Sequence, residues 1–307
     1  MLMFWYPLLA VLIWSGNAIV SKLAAGTIEP GVIAFYRWLL AWSLLTPFMA
    51  RAVWQQRQQI RPYLRQLMVL ALLGMMLNQS LGYYAAQSIS AVNIGILNAL
   101  IPLLTVLLSL WLLRETPTLG IATGSLLSFA GLLWLVSEGH PARLLAQGVS
   151  QGDLLMMGAV FTYALYGVLL KRWSLPFSGW MMLYLQMSAA LLWLLPDFLR
   201  ATSWALTADN LPLVLYAALP ASLIATLFWL QGVRHLGANR TAIFMNLLPL
   251  FTSVIAVLWL GERLHGYHLW GGGLALLGVL LCQLWRRPLR SVAPTAPAKL
   301  VTDAVQL

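Results

Sequence analysis

The sequence predicts an all-α polytopic membrane protein, with ten transmembrane helices arranged as two inverted five-helix repeats. Three observations predict it. Of the 307 residues, 61% are hydrophobic and 8% charged, against about 25% charged in an ordinary soluble domain. The apolar residues gather into stretches of the length a helix needs to cross a bilayer, about 20 residues. The two halves of the chain also match each other at a nearly constant offset.

Ten stretches have the required length and apolarity. They run over 7–25, 32–50, 67–86, 91–113 and 119–137 in the first half, and over 154–170, 179–196, 213–233, 241–260 and 269–285 in the second. The start of the chain lacks the positive region and small-residue cleavage site of a signal peptide, so the first stretch is read as a retained helix. Only Lys22 and Arg37 place a charge inside these windows. Lys22 lies near the outer end of its helix and can snorkel to water. Arg37 sits about a turn into the second helix, where it pairs with Glu29 or caps outer carbonyls, a structural role rather than a substrate contact. The tail 288–307 is rich in Pro and Ala and is predicted to be a disordered cytoplasmic segment.

Ten crossings put both termini on one side. That side receives Arg51, Arg57, Arg61, Arg65, Arg114, Lys171, Arg172, Arg234, Arg240, Arg286, Arg287, Arg290 and Lys299, thirteen in all. The opposite side receives Lys22, Arg143, Arg200 and Arg263, four in all. The positive-inside rule makes the thirteen-residue side cytoplasmic. This sorting accounts for the net charge of +10 better than a nucleic-acid partner does.

A shift of 147 residues superposes Ala91 on Ala238, Pro102 on Pro249, Thr105 on Thr252, Glu115 on Glu262, Gly124 on Gly271 and Gly131 on Gly278. Near the start of each half, a shift of 149 places Trp14 on Tyr163, Asn17 on Tyr166 and Lys22 on Lys171. The repeats are therefore assigned to 1–150 and 151–287. Five helices is an odd number, so the second copy enters the membrane upside down. Inverted repeats let a transporter expose a midplane site to either side in turn.

The ordered motifs are Trp14-Ser15-Gly16-Asn17 leading to Lys22, Phe35-Tyr36-Arg37, Asn98-Ala99-Leu100-Ile101-Pro102 leading to Arg114-Glu115, and Asn246-Leu247-Leu248-Pro249 leading to Gly261-Glu262-Arg263. In these the chain resembles the drug/metabolite transporter superfamily, and in particular its ten-helix EamA-type exporters, over residues 7–285. The resemblance implies export of amino acids, other small metabolites or toxic organic compounds across an inner membrane. It does not carry over a substrate.

Polar groups inside a membrane mark candidate pathways. On the fourth helix Asn98, Pro102, Thr105 and Ser109 share a face, and on the ninth Asn246, Pro249, Ser253 and Ala256 do the same. The two stripes are expected to face each other across a cavity, with packing through small polar residues as the alternative. Pro102 and Pro249 each remove a backbone donor and are the candidate gating positions. Trp14, Asn17, Asn78, Tyr83, Tyr163, Tyr166 and Trp229 complete the candidate substrate-binding set, as aromatic, hydroxyl and amide groups suited to an amphipathic solute. Trp and Tyr also favour membrane interfaces for solvation reasons alone. The stripe Gly120, Gly124, Ser128, Gly131 and its counterpart Gly271, Ala275, Gly278 predict a close helix contact, within the chain or across a dimer.

No Asp or Glu falls at mid-helix in any predicted span. Antiporters of cations use such a carboxylate, so neutral or zwitterionic cargo fits better than obligate cations. Coupling to protons and facilitated efflux both stay open. There is no Walker A pattern. His140, His235, His265 and His268 all lie near loops, which argues against an intramembrane hydrolase and against a metal site. No cofactor and no disulfide is expected, Cys282 being the one cysteine. The expected function is alternating-access export of small metabolites, amino acids favoured; the alternatives are a multidrug-type exporter, a channel or an intramembrane enzyme.

Overall fold

The computed structural model describes residues 2–89, 94, 97–98, 100–114, 118–137, 139–142, 150–260, 266–285 and 287. The predicted helix ends at Glu115 and Glu262, together with Arg143, Arg263, His265, Arg286 and the tail 288–307, lie outside the described residues. Helices follow one another as α1 (Trp5–Ala24), α2 (Pro30–Gln55), α3 (Arg57–Ser88), α4 (Leu100–Leu112) and α5 (Leu119–Val136). The second half continues with α6 (Gln151–Trp173), α7 (Gly179–Leu199), α8 (Leu211–Leu236), α9 (238–260) and α10 (Gly266–Leu284). Among the described residues α1, α2, α3, α6, α7 and α8 are long and apolar enough to cross a bilayer, while α4, α5 and α10 contribute shorter apolar stretches.

The helix ends follow from local chemistry. Pro30 opens α2, where a missing N–H costs no bond. Ser150 and Asp153 form a capping box at the start of α6, with Ser150 N–H donating to the Asp153 carboxylate at 2.8 Å. The Ser178 hydroxyl accepts from the Met181 N–H at the start of α7. Gly237 closes α8 at φ +85°, in the left-handed region that favours glycine.

The outer surface is apolar. Phe48, Trp111, Leu269 and Trp270 are each at least 70% exposed. In water these would make a large unsatisfied apolar patch. Hydrocarbon tails solvate them at no cost, so the fold is that of a polytopic membrane protein.

Two π-helical segments interrupt the bundle, at Leu72–Leu77 in α3 and Ala217–Ile224 in α8. Under the 147-residue shift, 72–77 falls on 219–224, inside the second segment. The wider π turn loosens the backbone ladder and leaves carbonyls for side chains. Met75 O accepts from the Trp38 indole at 3.1 Å, and Ala221 O accepts from the Trp14 indole at 2.9 Å. Gly74, inside the first segment, faces the Tyr166 ring so closely that a Cβ there would lie 2.6 Å from it.

α5 and α10 pack backbone to backbone, which settles the glycine stripes as a contact within the chain. A Cβ on Gly124 would meet Gly278 O at 2.5 Å, and a Cβ on Gly131 would meet Gly271 O at 2.6 Å. Ser128 donates to Ala275 O at 3.1 Å. Gly124 pairs with the repeat counterpart of Gly131, Gly131 with that of Gly124, and Ser128 with its own counterpart. The contact is therefore antiparallel and self-complementary in its pairing.

Candidate functional site

A cavity lies between α1, α3, α4, α6 and α9. α1 supplies Trp14, Asn17, Ala18 and Ser21; α3 supplies Asn78, Gln79, Gly82 and Tyr83. Ile94, Asn98 and Ile101 come from α4 and the residues before it, Met156 and Tyr163 from α6, and Met245 and Leu248 from α9. The cavity volume is ≈ 100 Å³. It extends from Trp14, midway along α1, to Ser21 in the last turn, and so occupies the half of the bilayer beside the loop 25–29. None of the described lining residues carries a charge.

Hydrogen bonds fix the polar wall. Asn78 donates to Ala159 O of α6 at 2.9 Å, and Gln79 donates to Asn78 Oδ1 at 3.1 Å. Gln79 Oε1 and the Tyr83 hydroxyl oxygen both accept from Arg37 Nη1, at 2.6 and 2.9 Å. Asn17 donates weakly to Ser21 Oγ at 3.5 Å, while its own side-chain oxygen is buried with no partner among the described residues. An orphaned buried acceptor on a cavity wall is one that a ligand can satisfy.

The floor is aromatic. Trp14 meets Tyr163 edge-on with centroids 5.9 Å apart, and Trp229 at 5.1 Å. Tyr163 meets Tyr166 at 5.6 Å and Trp229 at 5.7 Å. Trp14 and Tyr163, paired by the 149-residue shift, thus touch across the centre of the molecule.

Of the nine residues predicted to contact substrate, Trp14, Asn17, Asn78, Tyr83, Asn98 and Tyr163 line this cavity. Tyr166 and Trp229 are buried in the aromatic cluster behind it. Asn246 does not line the cavity either: it is 1% exposed and its amide faces no hydrogen-bond partner among the described residues. α9 passes through a 3₁₀ segment, Ile243–Leu247. Its three residues per turn rotate the face expected from an α-helix, so Met245 and Leu248 reach the cavity instead. The same segment answers Pro249: the Leu248 N–H donates to Met245 O, the carbonyl that the proline would otherwise leave free. Pro102 falls in the first turn of α4 and is buried. Ser109 of the fourth-helix stripe donates to Asn239 Oδ1 at 2.9 Å, a residue at the start of α9 that neither predicted stripe contained.

Sequence reasoning missed Gln79, although the run Asn78-Gln79-Ser80 interrupts an apolar helix and was visible. It also misplaced Arg37. That side chain is 1% exposed and does not pair with Glu29. Its Nε donates to Ser222 Oγ at 2.6 Å, and Glu29 instead accepts from Thr202 and Ser203. Lys22 is exposed at the end of α1, and its ammonium also caps α3 by donating to Ala86 O and Ile89 O, each at 3.0 Å.

A membrane bundle around a small, uncharged, amphipathic cavity defines a transporter for small molecules. The profile of the EamA-like transporter family matches residues 1–137 and again 150–283, and the chain belongs to that family. It is 26% identical to the transporter YyaM of Bacillus subtilis, over 85% of this chain and 87% of the relative. It is 29% identical to a transporter of Archaeoglobus fulgidus, over 89% of this chain and 94% of the relative. The aromatic amino acid exporter YddG of Salmonella typhimurium is 26% identical over 68% of this chain and 72% of its own length. A crystal structure at 19% identity shares the fold with a TM-score of 0.72, over 92% of this chain and 96% of that one.

Proposed function

We propose that this transporter exports amino acids or related zwitterionic metabolites across a bacterial inner membrane by alternating access. The observation that carries the reading is the cavity wall, which combines amide and hydroxyl groups with indole and phenol rings and has no carboxylate among its described lining residues. Such a wall suits a solute with a polar head and an apolar side chain. Amino-acid exporters occur among the relatives: YddG, and a probable terminal-alkyne amino-acid exporter of Streptantibioticus cattleyicolor that is 29% identical over 72% of this chain. The two halves, 1–150 and 151–287, act as inverted repeats in this reading, in keeping with the self-complementary pairing of α5 and α10. Thirteen basic residues against four orient both termini to the cytoplasm, and the cavity then opens toward the periplasm. In this reading Pro249, beside the 3₁₀ segment of α9, is the candidate gating position, while Pro102 marks the first turn of α4.

The test is flux in proteoliposomes at matched protein level, with amino acids and toxic organic cations offered separately, with and without a pH gradient. Saturable amino-acid flux that Asn98→Ala lowers about three- to tenfold is the expected result, the value of one lost hydrogen bond. Flux confined to organic cations would move the protein to the multidrug class. Acceleration by the pH gradient assigns proton coupling, and indifference to it assigns facilitated efflux.

A further inference from the structure

Arg37 is a permanently charged group buried within the membrane span, and its hydrogen-bond partners among the described residues, Ser222, Gln79 and Tyr83, are neutral. An uncompensated cation at such depth is costly and is retained for function. Its bonds run toward the cavity. Nη1 donates to Gln79 Oε1 and to the Tyr83 hydroxyl oxygen, and both of those residues line the wall. Nε holds Ser222 in the π segment of α8, which leaves the guanidinium little freedom to turn.

The direction of these bonds has a chemical consequence. Because the Tyr83 oxygen accepts from a cation, its own O–H is polarised into a stronger donor. That proton meets no acceptor among the described residues. Gln79 is polarised in the same sense and passes the effect to Asn78. The α3 wall therefore presents positive potential and a free O–H, while Asn17 on α1 presents an unpartnered acceptor. We propose that Arg37, acting through Tyr83 and Gln79, makes this wall a carboxylate-recognition site, with Tyr83 as the contacting donor and Arg37 as the positioning residue that supplies the charge. The cargo is then a carboxylic acid, and its amide or amine analogues are poor ligands. The inference rests on the exporter reading above and sharpens its substrate class.

Equilibrium binding to the full chain in nanodiscs, read from intrinsic tryptophan fluorescence, tests it with three probes: L-phenylalanine, 3-phenylpropionate and L-phenylalaninamide. The two carboxylates are expected to bind about tenfold or more tightly than the amide, the value of a charge-assisted hydrogen bond. Tyr83→Phe keeps the ring and the remaining Arg37 bonds, and should weaken the carboxylates about tenfold while leaving the amide unchanged. Arg37→Gln should remove the same preference; if it fails to fold, Tyr83→Phe alone decides. Equal binding of acid and amide, no binding of any probe, or a Tyr83→Phe loss shared by all three would overturn the proposal. Wild-type flux is measured in parallel. Carboxylate-selective binding without flux refutes the exporter and keeps the site; saturable flux without carboxylate preference refutes the site and keeps the exporter.

Discussion

Gly74→Ala adds one methyl group at the point where α3 meets the aromatic cluster. The new Cβ would stand 2.6, 2.7 and 2.8 Å from Cδ2, Cγ and Cε2 of Tyr166. Carbon atoms in contact prefer about 3.5–4.0 Å, so the ring or the helix must retreat by about 1 Å. Tyr166 is only 2% exposed, and its ring rests on Tyr163, which rests in turn on Trp14 and Trp229. The displacement therefore passes into the cavity floor. Overpacking of this kind costs about 1–3 kcal/mol, and replacing a helical glycine by alanine returns about 1 kcal/mol. The net loss is about 0–2 kcal/mol, together with reduced flux. The sharper readout is the background dependence. With Tyr166→Ala already in place the methyl has room, and Gly74→Ala should become stabilising by up to about 1 kcal/mol. Reversible unfolding in mixed detergent micelles measures all four proteins of the cycle. An equal cost of Gly74→Ala in both backgrounds would refute the argument that the glycine exists to admit the Tyr166 ring.

Three further outcomes are expected. Gly131→Leu drives a side chain into Gly271 O and Ala275 N, atoms that cannot swing aside, and should cost at least about 3 kcal/mol, read as loss of monodisperse protein and a lowered Tm. Lys22→Met leaves Ala86 O and Ile89 O without their cap and should cost about 1–3 kcal/mol, with faster amide exchange confined to the end of α3. The Thr202 hydroxyl, with the Ser203 and Thr202 N–H groups, holds the Glu29 carboxyl below its ordinary pKa of 4.5. A depressed carboxyl stabilises the folded loop fully above that ordinary value and progressively less as pH falls through the lower folded value. The protection of the Thr202 and Ser203 amides, relative to their intrinsic exchange rates, should therefore fall in acid, and Glu29→Gln should abolish that loss.

The sequence was most informative where one physical requirement dominates. Bilayer thickness dictates apolar run length, so the helices were legible; close approach of two backbones dictates small residues, so the α5 and α10 stripes were legible as a contact. The aromatic cluster was half legible: Trp14, Tyr163, Tyr166 and Trp229 were singled out one by one, and only the fold brings them together. Departures from the 3.6-residue period were hidden. Nothing in Leu72–Leu77 announces a π turn, and the 3₁₀ run Ile243–Leu247 turned Asn246 away from the face its spacing implied. Arg37 was visible as a charge, but its partners Gln79, Tyr83 and Ser222 lie 42, 46 and 185 residues away, and no local pattern links them.

The seam between α5 and α10 has a consequence for assembly. Ser128 faces the residue that corresponds to itself, as a residue on a dyad does in a homodimer. The glycines to either side exchange partners in the same way. α5 and α10 thus carry the same small-residue pattern and bind each other running in opposite directions. Two oppositely inserted copies of one helix would associate along a seam of this kind, and a single chain that carries both sides makes that association intramolecular.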